Sequence, residues 1–104
     1  MKRESFVNLM LTHNDAYIHY NSKVSKKQKY YVGTLDFVHC EYVRDLYKSK
    51  YRKNPPTSKE IKEGNEDNIL VFCWDLNDFK LVDIDSVVSI EGLADTLKNA
   101  SEIL

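Results

Sequence analysis

Residues 68–90 constrain the fold of this chain most. An unbroken apolar run, Ile69-Leu70-Val71-Phe72-Cys73-Trp74, reaches the polar turn Asp75-Leu76-Asn77-Asp78 and returns as Phe79-Lys80-Leu81-Val82-Asp83-Ile84. A strand buried on both faces is apolar throughout, whereas a half-exposed partner alternates. One run of each kind, joined by turn-forming residues, predicts a β-hairpin with a buried first strand. No catalytic signature and no strong ligand motif accompanies it.

A chain of 104 residues with 42% hydrophobic content makes one globular domain. No apolar run approaches the ~20 residues of a bilayer span. Near the start, Lys2, Arg3 and Glu4 precede only the short stretch Phe6-Val7-Asn8-Leu9-Met10-Leu11, which lacks the length and cleavage site of a secretory signal. The expectation is a soluble, cytoplasmic protein. Its cysteines, Cys40 and Cys73, are then reduced, Cys73 as a small hydrophobe inside the apolar strand. His39 beside Cys40 invites a nucleophile or a metal site, but strand neighbours point to opposite faces. His13, His19, His39 and Cys40 also lack the short spacings of zinc ligands. No metal and no cofactor is expected.

Charge is segregated along the chain. Residues 1–54 carry 11 Lys/Arg against 5 Asp/Glu, a balance of +6, and residues 55–104 carry 4 against 11, a balance of −7. A fold that keeps the halves apart presents one basic and one acidic surface; strands that interleave mix them into an ordinary solvated exterior.

Around that hairpin the periodicities assign the remaining elements. Phe6, Leu9, Met10 and His13 share one side of a helix, although Val7, Leu9 and Leu11 also alternate; the break at Asn14-Asp15 favours a short helix before the strand Ala16-Tyr17-Ile18-His19-Tyr20. The lysine-rich residues 22–29 read as an exposed turn, and residues 28–40 as a second strand bent or bulged at Gly33. Tyr42, Val43, Leu46 and Tyr47 then recur at helical spacing over residues 41–51, with a basic last turn suited to the helix dipole. Pro55-Pro56 stops that helix, and residues 52–67, with Ile61 as the sole apolar anchor, read as a mobile loop holding at most a helical turn at residues 58–61. Residues 86–90 form another strand. Leu93, Leu97, Ala100 and Leu104 predict a terminal amphipathic helix. The sum is mainly β with marginal helices: five strands curling into a small barrel, with a helical insert between strands 2 and 3.

Thr34-Leu35-Asp36-Phe37, the run from Asn68 to Leu76 containing Trp74-Asp75, and the stretch from Phe79 to Val87 ending in Asp85-Ser86-Val87 together resemble a family of small tailed-phage proteins. These are Sm-like, SH3-type β-barrels grouped in name with the WYL domains, and the match covers residues 17–91. The resemblance implies an SH3/Sm-like barrel of phage origin, acting in the host cytoplasm. It departs from the family after the turn, where arginines are usual and this chain has only Lys80 among Leu81, Val82 and Asp83.

Two regions are candidate sites. Trp74 either plugs the barrel or its rim, with its indole N–H on a carbonyl, or touches a ligand at the barrel mouth. Asp75, Asp78, Asp83 and Asp85 read as turn residues, since no glycine-containing calcium loop is present. Residues 42–53 interleave Tyr47 and Tyr51 with Arg44, Lys48, Lys50, Arg52 and Lys53, a pattern in which aromatics anchor a partner or stack on bases while cations follow phosphates. The favoured reading is a non-enzymatic interaction module that binds and modulates a host protein through the inserted helix and the loop at residues 52–67, with exposed tyrosines as anchors. The alternative is a barrel binding single-stranded nucleic acid, disfavoured by the acidic half. No nucleophile, base and orienting group can be placed together for an enzyme.

Overall fold

The computed structural model describes residues 1–95. Helix α1 (Arg3–His13) leads into β1 (Asp15–Asn21) and β2 (Gln28–Thr34). Helices α2 (Glu41–Tyr51) and α3 (Ser58–Glu63) follow, then β3 (Asn68–Cys73), β4 (Asp78–Asp83), a 3₁₀ turn (Ile84–Ser86) and β5 (Val87–Gly92). The strands form one antiparallel five-stranded sheet in the order β4-β3-β2-β1-β5. The molecule is therefore α+β. The predicted hairpin is β3–β4, in register from Asn68 opposite Asp83 to Cys73 opposite Asp78.

That order has a consequence for shape. Strands β4 and β5 occupy opposite edges, yet only Ile84–Ser86 joins them. Edges of a flat five-stranded sheet lie about 19 Å apart, at four strand spacings, while the four Cα steps of this connection reach at most about 15 Å, and less as a 3₁₀ turn. The sheet must curl. At the curled end Ile84 N–H donates to Asp67 O at 3.0 Å, and Lys23 Nζ, in the β1–β2 turn, lies 2.8 Å from Asp83 Oδ2. Among the described residues β4 and β5 do not pair with each other.

Curling needs room inside. Gly33 supplies it, though not as a bend: it has no left-handed backbone, and a Cβ there would lie 2.6 Å from Val71 Cγ1 and 3.0 Å from Phe72 O. Glycine at this position permits close approach of β2 to β3. The register irregularity lies elsewhere, between His19 and Tyr20 in the β1–β5 pairing. Residues 35–40, expected to continue the second strand, instead leave the sheet, with Leu35 and Phe37 buried.

Both faces of the sheet carry core. Ala16, Ile18, Ile69, Val71, Cys73 and Val82 point to one face by register and are buried there. Helix α1 covers this face with wholly buried Phe6, Val7 and Met10; its His13 sits where a Gly92 side chain would go. Leu9, expected on the buried side, is 37% exposed. On the other face α2 lays Tyr47 and Tyr51 edge-on against Phe79, each at 5.6 Å between ring centroids, and Phe37 and Phe72 complete the cluster.

The segment 52–67 is more structured than its sequence predicts. Thr57 and Glu60 form a capping box at the start of α3, each satisfying the other's backbone N–H, and Ile61 is buried. Arg3 ties the segment down by donating to Ile61 O (2.8 and 3.1 Å), Glu66 O (2.8 Å) and Asn68 O (3.4 Å). A single apolar residue proved enough because a distant arginine satisfies the backbone around it. Of the expected terminal helix, Leu93–Asp95 are helical and the rest lies outside the described residues. Among those residues no helix is long and apolar enough to cross a membrane.

Candidate functional site

The basic segment divides on folding. Tyr47 is 6% exposed, stacked on Phe37 and 4.6 Å from the Tyr51 ring. It belongs to the core and cannot serve as the surface anchor expected of it. The reason is geometric: α2 lies against Phe72 and Phe79, and its apolar stripe faces them. Tyr51 is half-buried in the same cluster. Arg44 Nε lies 3.6 Å from Asp45 Oδ1. Lys50 Nζ donates to Asp78 Oδ1 at 2.7 Å, which lowers the Asp78 carboxyl below its ordinary range, helped by the Phe79 N–H, and raises the Lys50 ammonium. Arg52 takes the left-handed position that ends α2. Lys48, Arg52 and Lys53 are exposed. Of the seven-residue site four cations are exposed, Lys50 among them but paired with Asp78.

Tyr42, predicted on the buried stripe, lies instead at the rim, 50% exposed. Its ring stacks on Trp74 at 6.2 Å and 17°, and its hydroxyl donates to Asn77 Oδ1 at 2.6 Å. Trp74 is itself 37% exposed and packs edge-to-face on Phe72 at 5.0 Å. Its indole N–H donates to a carboxylate, Asp15 Oδ1 at 2.8 Å, rather than to a carbonyl. Trp74 is thus a rim residue whose donor is occupied, so what it offers solvent is ring surface.

Trp74 extends a larger aromatic face. Beyond β3 its backbone N–H donates to Val32 O at 2.7 Å, which continues the pairing and sets Trp74 beside Val32. Val32 faces Tyr17, and Tyr17 faces Glu91; one step along, Tyr30 faces His19 and His19 faces Ser89. The rings of Tyr17 and Tyr30 meet edge-to-face at 5.5 Å, and His19 lies 6.1 Å from Tyr30 and 6.2 Å from Tyr17. His19 Nε2 is 3.5 Å from Glu91 Oε2. Tyr30 is the most open of the group at 55%. Period-two alternation in β1 and β2 already puts Tyr17 with His19 and Tyr30 with Val32. Their junction with Trp74 and Tyr42 has no sequence signal, because it depends on which strands pair.

The carboxylates near the hairpin hold structure. Asp75 Oδ1 accepts the Val32 N–H at 3.2 Å, and Asp83 caps the 3₁₀ turn through the Asp85 N–H at 3.1 Å. The Lys23 bond lowers the Asp83 carboxyl and raises the Lys23 ammonium. Among the described residues no group of three His, Cys, Asp or Glu gathers to hold a metal ion. A concavity of about 290 Å³ opens where the sheet edges approach, between Lys23, Asp83 and the parallel rings of Tyr20 and Tyr31, 4.7 Å apart. Hydrogen bonding with Tyr20, then burial, pushes the Tyr31 phenol up to about 12. Cys40 and Cys73 are both free thiols, Cys73 fully buried.

No family model matches this chain, and neither a curated protein nor a solved structure matches it.

Proposed function

We propose that this chain is a non-catalytic protein-interaction domain of the phage Sm-like, SH3-type kind, binding a protein in the cytoplasm of the infected cell. The observation that carries the reading is the aromatic face formed by exposed Tyr30, Tyr42 and Trp74 around the partly buried Tyr17. Aromatic rings half-open to water, fixed by strands and by hydrogen bonds to Asp15 and Asn77, give large contact area at little entropic cost. For the barrel assignment, the support is the meandering order with β5 returned beside β1 and the short step between the two edges. The partner surface lies on β1, β2 and the end of β3, joined by Tyr42 from the first turn of α2, rather than on the basic end of that helix.

Nucleic acid is the second reading, favoured by exposed Lys48, Arg52 and Lys53 at the end of α2. Capture from host lysate before and after nuclease treatment, with wild type, Tyr30→Ala and Ser89→Lys, separates the two. Tyr30 and Ser89 are exposed, so circular dichroism of both variants should match that of wild type. The protein reading expects a nuclease-resistant partner lost in both variants. A partner that disappears with nuclease, or that both variants retain, refutes it. Salt-sensitive, submicromolar binding of wild type to single-stranded DNA or RNA by fluorescence anisotropy would put nucleic acid first.

A further inference from the structure

The aromatic face has a charge. By register, the side of the sheet that bears it presents Asp15, Tyr17, His19 and Asn21 from β1, Gln28, Tyr30 and Val32 from β2, and Ser89 and Glu91 from β5. None of these positions is Lys or Arg, and two are carboxylates. Strands β1 and β2 of this face come from the basic half of the sequence, yet their lysines are elsewhere: Lys29 pairs with Tyr20 and so points to the opposite side, and Lys23, Lys26 and Lys27 lie in the β1–β2 turn. Strand pairing turns the lysines of β1 and β2 away and adds Glu91 from β5 beside Tyr17, which makes this an acidic, aromatic surface.

On the reading that this face binds a protein, we propose that its occupant is an extended segment bearing arginine or lysine at alternate positions. The chemistry matches on two counts. Exposed ring faces attract cations through their quadrupole, and Trp74, with its N–H already held by Asp15, offers ring rather than donor. Asp15 and Glu91 supply opposite charge at the ends of the row that runs from Trp74 through Val32 and Tyr17. The rows of this face, Tyr17 with Val32 and His19 with Tyr30, lie two residues apart along the strands, about 6.8 Å, which is also the spacing of alternate side chains in an extended peptide. A phosphate backbone laid on the same face would meet the two carboxylates.

Trp74 is the sole tryptophan of the chain, so its fluorescence reports this face directly. The test titrates the full chain with four probes: a peptide with arginine at alternate positions, the same peptide with glutamine, the same with glutamate, and an oligo-dT strand. The inference expects saturable change with the arginine peptide alone, weakened by added salt. Tyr30→Ala and Glu91→Gln should each weaken it about three- to fivefold, with circular dichroism unchanged. Binding of the glutamine or glutamate peptide as tight as that of the arginine peptide overturns the cation inference and leaves the protein-binding reading standing. Silence with every peptide beside saturable binding of oligo-dT overturns both. Silence with all four, or arginine-peptide binding indifferent to both substitutions, overturns the cation inference.

Discussion

Gly33→Ala isolates the contact that lets the sheet curl. The added methyl would stand 2.6 Å from Val71 Cγ1, inside ordinary van der Waals contact, and 3.0 Å from the carbonyl oxygen of Phe72. Val71 is fully buried, so it cannot swing aside into solvent. Overpacking of this kind costs about 1–3 kcal/mol. Against it stands the smaller entropy of the unfolded alanine chain, worth about 0.4–1 kcal/mol where the backbone is compatible, as it is here because Gly33 has no positive φ. The net expectation is destabilisation by about 1–2 kcal/mol. Val71→Ala alone loses about 1.6 kcal/mol of methylene burial plus a cavity term. Because it removes the obstructing Cγ1, Gly33→Ala should become nearly neutral in that background. The cycle should therefore show a coupling of about 1–2 kcal/mol. Urea unfolding followed by Trp74 fluorescence measures all four proteins. A stabilising Gly33→Ala would refute close approach as the reason for glycine here, and an undiminished penalty in the Val71→Ala background would refute Val71 as the obstructing group.

Arg3→Ala should destabilise by about 1–3 kcal/mol through the loss of charge-assisted bonds to three carbonyls, and hydrogen exchange should quicken across residues 58–68; Arg3→Lys should not restore it, since an ammonium lacks the guanidinium fork. A variant as stable as wild type would remove Arg3 as the anchor of α3. Burial, then the nearby Asp75 charge, pushes the Cys73 thiol up to about 12 from 9.0. An acid whose pKa rises on folding favours the folded state below its unfolded pKa, so stability should fall as pH climbs from about 9 toward 12. Cys73→Ala should flatten that slope, and in native protein Ellman's reagent should modify Cys40 well before Cys73; equal rates would contradict the burial.

Much of this fold is legible in one dimension, and the reasons are local. The run Ile69 to Trp74 followed by Asp75-Leu76-Asn77-Asp78 specifies a hairpin because period, turn chemistry and burial agree over neighbouring residues. The helical spacing of Val43 and Tyr47 specifies α2 for the same reason. What that helix covers is another matter. Tyr42 and Tyr47 look alike in sequence, yet Tyr47 is buried against Phe37 and Phe79 while Tyr42 stacks on Trp74 at the rim, since the angle at which α2 meets the sheet selects the buried stripe. Gly33 signals an unusual backbone position, but only the approach of Val71 from another strand shows that missing volume, not torsional freedom, is what the site requires. Segment 52–67 lacks apolar periodicity and so reads as loop; Arg3, remote in sequence, gives its carbonyls a partner. The candidate site belongs mostly to this second class. Alternation along β1 and β2 determines which side chains share a face, whereas the pairing of β1 with β5 and the extension of β3 past Cys73 decide that Glu91, Asp15 and Trp74 join Tyr17 and Tyr30 and that no lysine does. Sequence sets the composition of each strand face, but the charge of a surface is a sum over strands, and only their order in the sheet fixes the terms.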